Sequence, residues 1–384
     1  MLYHYFSLDD YFKKTRNYFT FIDGVFKQTS SKKKEVFDKL LIPDSTYRTN
    51  RLKEKAKYKW SYLPILEYFG YKDVNPNDQR KYELLLAKIY HNAYYKDMES
   101  LKKLSIELDE AIDENNFLKP VFVLFRIFIK SMSINHYSEQ QQDTREDLEF
   151  VGYFRKDYLT EEFLFMYQMF RFYFGKNVNN IELENYAVKH PKLLWLFYLL
   201  KGSFNFLNKN DVEALSYYEL LVDVLWKDFN IKRFSIFTSN LAFIYNYQGK
   251  YSLSLEKSSK LVPYAIVTDN ASEHNRYSIK HYAFSLYMLN KFDEIIELFE
   301  VLNDISFFGD IYIVIFMIAK KLKHSIYDFR IKERIKQSNN LLMVDEMLIS
   351  GRLDLEKLSE MYKKLSYWPK IVEKMQVDVL KIKK

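Results

Sequence analysis

Apolar residues recur at three- and four-residue spacing, with charged residues between them, over almost the whole chain. That period puts apolar side chains on one face of an α-helix. It predicts helices at about 78–95, 97–114, 117–134, 160–174, 180–190, 192–207, 211–228, 232–248, 252–262, 272–289, 292–303, 308–323, 341–349, 353–365 and 369–382. The polar run 136–146, HYSEQQQDTRE, lacks the pattern and reads as a loop. The breaker cluster 73–78, DVNPND, reads as a boundary between residues 1–75 and a larger region, 76–384. The fold class expected is all-α.

The first 75 residues carry shorter helices. One at 7–26 places Tyr11, Phe12, Tyr18, Phe19 and Ile22 over the helices after it. Residues 30–72 read as three more. The first, Lys32 to Leu41, is capped by Ser30 or Ser31 and buries Val36, Phe37, Leu40 and Leu41. Pro43 stops it, since a proline pushes the preceding residue out of the α region. Asp44 or Ser45 then caps a helix from about Thr46 to Lys55. A third starts near Trp60, buries Leu63, Ile65, Leu66 and Phe69, and ends at Gly70.

Helix, tight turn and short polar helix make a helix-turn-helix pattern, in which the second helix enters the DNA major groove. Here that helix carries Ser45, Thr46, Tyr47, Arg48, Thr49, Asn50, Arg51 and Lys53. Arg reads guanine, Asn reads adenine, and Ser or Thr bonds phosphate or base. A capped surface helix with a solvated basic face would show the same pattern. Charge favours the first reading. The chain has net charge +7, and residues 1–75 hold 15 Lys or Arg against 9 Asp or Glu, while the rest hold 43 against 42. A positive excess confined to one segment is the footprint of phosphate contact.

Composition narrows the remaining classes. Only 8 Gly and 7 Pro argue against many-stranded β structure. With no Cys, disulfides, a thiol nucleophile and thiolate metal sites are excluded. There is no P-loop, G-x-G-x-x-G or H-E-x-x-H, and the 7 His show no metal-ligand spacing. No cofactor, no metal and no enzymatic activity are expected. The most apolar runs, Val121 to Ile129, Leu193 to Leu200 and Ile311 to Ala319, fall far short of the ~20 residues of a membrane span. The N-terminus lacks the apolar core of a signal peptide. The expectation is a cytoplasmic protein with no membrane partner.

A period runs through the second half. Gly175-Lys176, Asn208-Lys209, Gly249-Lys250 and Asn290-Lys291 are separated by 33, 41 and 41 residues. Gly or Asn suits the left-handed residue that ends a helix, so each pair reads as the turn of a helical hairpin. Such repetition signals a helical solenoid. The unit LAFIYNYQGKYSLSLEKSSKLVP resembles a tetratricopeptide repeat: Leu241, Ala242 and Tyr245 match the first helix, Gly249 and Tyr251 the turn, and Ser254 the small helix-contact position. The next unit keeps Ala283, Leu286, Phe292, Phe299 and Leu302. A helix-turn-helix followed by such hairpins resembles the peptide-pheromone-responsive regulators of low-GC Gram-positive bacteria and their phages. The start of the second helix departs from that family in lacking its Gln residues.

The resemblance implies a right-handed solenoid whose concave face holds a short signalling peptide, and a homodimer. The inward positions are Trp195, Tyr198 and Asn205, then Ser239, Phe243 and Asn246, then Tyr277, Lys280, Phe284 and Tyr287. An Asn amide both donates to and accepts from a peptide backbone, and aromatic rings supply contact area. The same aromatic residues at helical spacing also suit a packed core. Two functions are consistent with this reading: a DNA-binding transcriptional regulator controlled by a quorum-sensing peptide, or a helical-repeat interaction scaffold without DNA binding.

Overall fold

The computed structural model describes Leu8 and residues 16–53, 62–75, 78–133, 140–154, 158–174, 178–263, 273–301, 370, 371, 373 and 374. Among the described residues the chain is helical, with no strand beyond an isolated bridge of Lys72 with Asn116. None of its described helices is long and apolar enough to cross a membrane. The chain divides into two compact units, Met1–Val224 and Leu225–Lys384.

The first unit begins with α1 (Arg16–Thr29), α2 (Lys33–Lys39), α3 (Asp44–Lys53) and α4 (Leu63–Tyr68). It continues with α5 (Gln79–Tyr94), α6 (Met98–Asp113), α7 (Lys119–Ser133), α8 (Gln140–Gly152), α9 (Glu161–Tyr173), α10 (Asn180–Lys189) and α11 (Leu194–Leu207). Helix α12 (Asp211–Lys227) carries the division between the units. The second unit holds α13 (Ile231–Tyr247), α14 (Tyr251–Ser259), α15 (Glu273–Met288) and α16 (Phe292–Val301). From α5 to α15, apart from α8, the helices match the apolar period to within a few residues at each end. The helices expected between 308 and 365 lie outside the described residues.

The boundary expected at 73–78 falls inside the first unit, where α1 packs on later helices as well as on its N-terminal neighbours. Phe21 of α1 stacks on Phe154 at 5.1 Å, and Tyr18 meets Phe117 at 4.4 Å. The Lys72 amide donates to the Asn115 carbonyl at 2.9 Å, tying the connecting segment to the α6–α7 loop. Gly24 leaves room for Phe154 against α1: a Cβ there would lie 2.3 Å from the ring. The polar run at 136–146 is also corrected, since α8 starts at Gln140. Its inward face includes Thr144 and Asp147, both buried. Asp147 pairs with Arg126 at 2.5 Å and Lys130 at 3.2 Å, both on α7. A helix that buries an ion-paired carboxylate shows little hydrophobic period.

Helix ends share one device. Leu41, Gly70, Lys96, Lys209, Phe229, Gly249 and Asn290 all have positive φ. After each, the next amide donates to the carbonyl five residues back: Ile42 to Phe37, Tyr71 to Leu66, Asp97 to Asn92, Asn210 to Asn205, Asn230 to Leu225, Lys250 to Tyr245 and Lys291 to Leu286. This is the Schellman closure of a helix. The turns expected at Gly249 and Asn290 are present. At the third, the left-handed residue is Lys209 rather than Asn208, whose side-chain amide instead donates to the Phe204 carbonyl. Gly175-Lys176 lies outside the described residues. Gly249 has φ +77°, and the space around it is open, the nearest atom to a built Cβ being the Tyr251 hydroxyl at 3.9 Å. Gly249→Val is therefore expected to destabilise the second unit by about 1–2 kcal/mol through backbone strain alone. Urea melts check this, with Gly249→Asn losing less.

In the second unit, α13 and α14 approach through small side chains. The Ser254 hydroxyl donates to the Ala242 carbonyl at 2.9 Å, and both residues are fully buried. Helix α15 joins them through a buried polar seam. The Asn246 amide donates to the His281 carbonyl at 3.1 Å. The Ser285 hydroxyl lies 2.9 Å from Asn246 Oδ1, 2.9 Å from Ser254 Oγ and 2.8 Å from the His281 carbonyl.

Candidate functional site

Helix α2 stops at Lys39 and the chain turns through Leu40 to Pro43 before α3. Three local expectations are corrected. The N-cap of α2 is Lys32, with no side-chain cap from Ser30 or Ser31. Leu40 is half-buried and Leu41 is 89 % exposed at the left-handed position, while Ile42 is buried instead. Pro43 lies past the end of α2 and directly precedes α3: its carbonyl accepts from the Thr46 and Tyr47 amides at 2.9 and 3.1 Å. Asp44 and Ser45 thus lie within the first turn of α3.

Tyr47 seats α3 on the unit. It is 2 % exposed, 4.9 Å from the Phe37 ring and 5.2 Å from the Phe19 ring. Its assignment as a DNA contact is corrected, because a buried ring cannot reach a groove. Ser45, Arg48 and Thr49 are exposed and Thr46 is half-buried. Spacing of three and four residues places Ser45, Arg48 and Thr49 on one face of α3. Arg48 pairs with Asp44 at 2.7 Å. The side chains of Asn50, Arg51 and Lys53 lie outside the described residues, although their backbone continues α3.

Between α2 and α3 runs a groove of about 710 Å³. Lys33, Lys34 and Arg48 supply its cations, Asp38 and Asp44 its acids, and Phe37, Ile42, Pro43 and Tyr47 its apolar wall. Lys33 is tethered: its ammonium pairs with Asp23 at 2.5 Å and lies 5.6 and 5.8 Å from the Phe26 and Tyr47 rings. Sequence reasoning missed this groove and the anchoring role of Tyr47. The available signal was a single aromatic inside an otherwise polar helix, one turn away from Phe37.

Most of the positions expected to hold a peptide are packing residues. In the first unit Trp195 is buried, donates its indole N–H to the Tyr90 hydroxyl at 2.7 Å and meets Tyr94 edge-on at 5.2 Å. Asn205 is buried and donates to its own helix at the Lys201 carbonyl. Tyr198 is half-exposed. In the second unit Ser239, Phe284 and Tyr287 are buried, and Asn246 is spent in the seam. Phe243 and Lys280 are half-exposed, and the Tyr277 side chain lies outside the described residues. The sequence pattern could not separate the faces, because these helices bury polar and aromatic residues on the same side.

No family model, curated protein or solved structure matches the chain.

Proposed function

We propose that the chain is a DNA-binding transcriptional regulator whose duplex contact is made by α3. The observation that carries this reading is the α2–turn–α3 unit. A four-residue turn with a left-handed Leu41 joins two short helices, Tyr47 anchors the second, and Ser45, Arg48 and Thr49 face solvent. The surrounding residues hold nearly all of the chain's positive excess. The Arg48–Asp44 pair does not oppose the reading. Its side chains are 76 % and 51 % exposed, and exposed pairs of this kind contribute about 0–1 kcal/mol. Phosphate or guanine therefore competes with Asp44 for Arg48 at little cost.

The remaining helices serve, in this reading, as a tetratricopeptide-like regulatory region. The close Ser254–Ala242 contact between α13 and α14 supports the likeness. With Asn246, Asn205 and Trp195 committed to packing, a signalling peptide would meet Tyr198 in the first unit or Phe243 and Lys280 in the second. Dimerisation belongs to the reading too, because helix-turn-helix proteins commonly bind two half-sites as a pair.

Fluorescence anisotropy with a mixed-sequence duplex tests the proposal. Binding is expected to weaken steeply with salt, as counterion release requires. Arg48→Ala is expected to cost about 1–3 kcal/mol, and Lys34→Ala to lower the salt slope by about 1. If the folded double variant binds as the parent does, α3 is not the contact and the scaffold reading replaces this one.

A further inference from the structure

Arg48 turns its guanidinium back on Asp44, one turn earlier in α3, with Nη2 2.7 Å from Oδ2. Both side chains are exposed, so burial holds neither of them in place. On a helix the rows 44/48 and 45/49 run side by side. Asp44 therefore stands on the face that carries Ser45, Arg48 and Thr49, all exposed. A carboxylate on a face that meets phosphates costs affinity, because the two repel. Its place is accounted for by what it does to Arg48.

A guanidinium has five N–H donors in a planar fork, and guanine engages two of them through O6 and N7. The Asp44 carboxylate meets Arg48 at Nη2 alone, which leaves donors enough for a base. The pair and a guanine contact can be made together. The pair then acts on the reading of a base in two ways. It holds a long, flexible side chain in one orientation before DNA arrives, and freedom already lost is not lost again on binding. It also cancels the charge of Arg48. A neutral base edge is little affected by that, whereas a phosphate anion meets a carboxylate beside the guanidinium. Lys34, exposed on the α2 side of the groove, attracts phosphates by charge instead.

We propose that Asp44 is a specificity-determining residue of α3: it orients Arg48 toward a guanine edge and turns phosphates away from it. This rests on the reading of α3 as the duplex contact. It adds that the Arg48 contact goes to a base rather than to the backbone.

The full chain is used to select a duplex from a random-sequence library. Anisotropy then compares the selected duplex with one of the same composition in shuffled order. Asp44→Asn keeps the size of the side chain and its ability to cap a helix, and removes the charge. It is expected to tighten the shuffled duplex about fivefold and to raise its salt slope by about 1, as one added phosphate contact does. The selected duplex is expected to gain less, so that the ratio of the two affinities falls at least about threefold. Replacing the guanines of the selected duplex by 7-deazaguanine, which lacks the N7 acceptor, is expected to weaken the parent at least about threefold and Asp44→Asn less. In an Arg48→Ala chain, Asp44→Asn is expected to leave the ratio where it is, because Asp44 acts through Arg48. A ratio unchanged by Asp44→Asn, or lowered as much without Arg48 as with it, overturns the proposal. So does a parent indifferent to 7-deazaguanine, or one that binds the selected and shuffled duplexes alike. A parent that binds neither duplex sinks the DNA reading itself, and this proposal with it.

Discussion

Asn246→Leu is expected to lower the stability of the second unit by about 1–3 kcal/mol. Asn246 is 0 % exposed and bridges α13 to α15, donating to the His281 carbonyl and accepting from Ser285. Leucine has a similar volume but removes two hydrogen bonds of the seam, leaving the Ser285 hydroxyl to Ser254 Oγ and the His281 carbonyl. Each lost bond costs about 0.5–1.5 kcal/mol, and members of a buried network reinforce one another. Ser254→Ala is expected to cost less, because Ser285 keeps two other neighbours at hydrogen-bond distance. Urea melts of the single and double variants form a cycle. Losses for Asn246→Leu and Ser285→Ala that add without coupling would mean the two side chains do not act as one seam.

Mild acid is expected to destabilise the same unit through one buried imidazole. His281 is buried in α15, where loss of solvation, together with neighbouring Lys280, pushes its imidazole down to about 3. In the unfolded chain it returns to about 6.5. The folded state therefore binds fewer protons, and its stability is intact above pH 6.5. Stability falls as the pH drops from there toward 3, by about 2 kcal/mol at pH 5 and about 3 kcal/mol at pH 4. His281→Gln takes no proton. Its denaturation midpoint is expected to stay nearly level between pH 7 and pH 5, while the parent's declines. Parallel declines in both chains would place the sensitive group elsewhere.

Much of the helix order was legible because one face of each helix is apolar, and three-to-four spacing records this directly. It failed where burial is polar. Helix α8 hides Asp147 beneath Arg126 and Lys130, so its start reads as a loop. It failed again at helix ends, where composition favours Gly or Asn. Leu41, Lys96, Lys209 and Phe229 occupy the left-handed position, and no residue preference marks them. The candidate site was half legible. Ser45, Arg48 and Thr49 lie where spacing puts them. Tyr47 carries a polar hydroxyl and so reads as a contact, yet its ring packs α3 against Phe37 and Phe19. The peptide face was the least legible part. An inward Asn has the same sequence signature whether it meets a ligand or, like Asn246, a neighbouring helix.

The lysine contacts of residues 370–374 also set an order of events during synthesis. Asn246, Ser254 and Ser285 meet across 31 and 39 residues, so α13, α14 and α15 can consolidate soon after they are made. Lys370 reaches the end of α13 across 124 residues, and Lys374 reaches α15 across 87. Contacts that close such long loops form after the local ones, and a growing chain folds from its N-terminal side. The carbonyl ends of α13 and α15 are therefore complete on the nascent chain well before these lysines have been translated. During that interval the ends of α13 and α15 lack these two ammonium contacts.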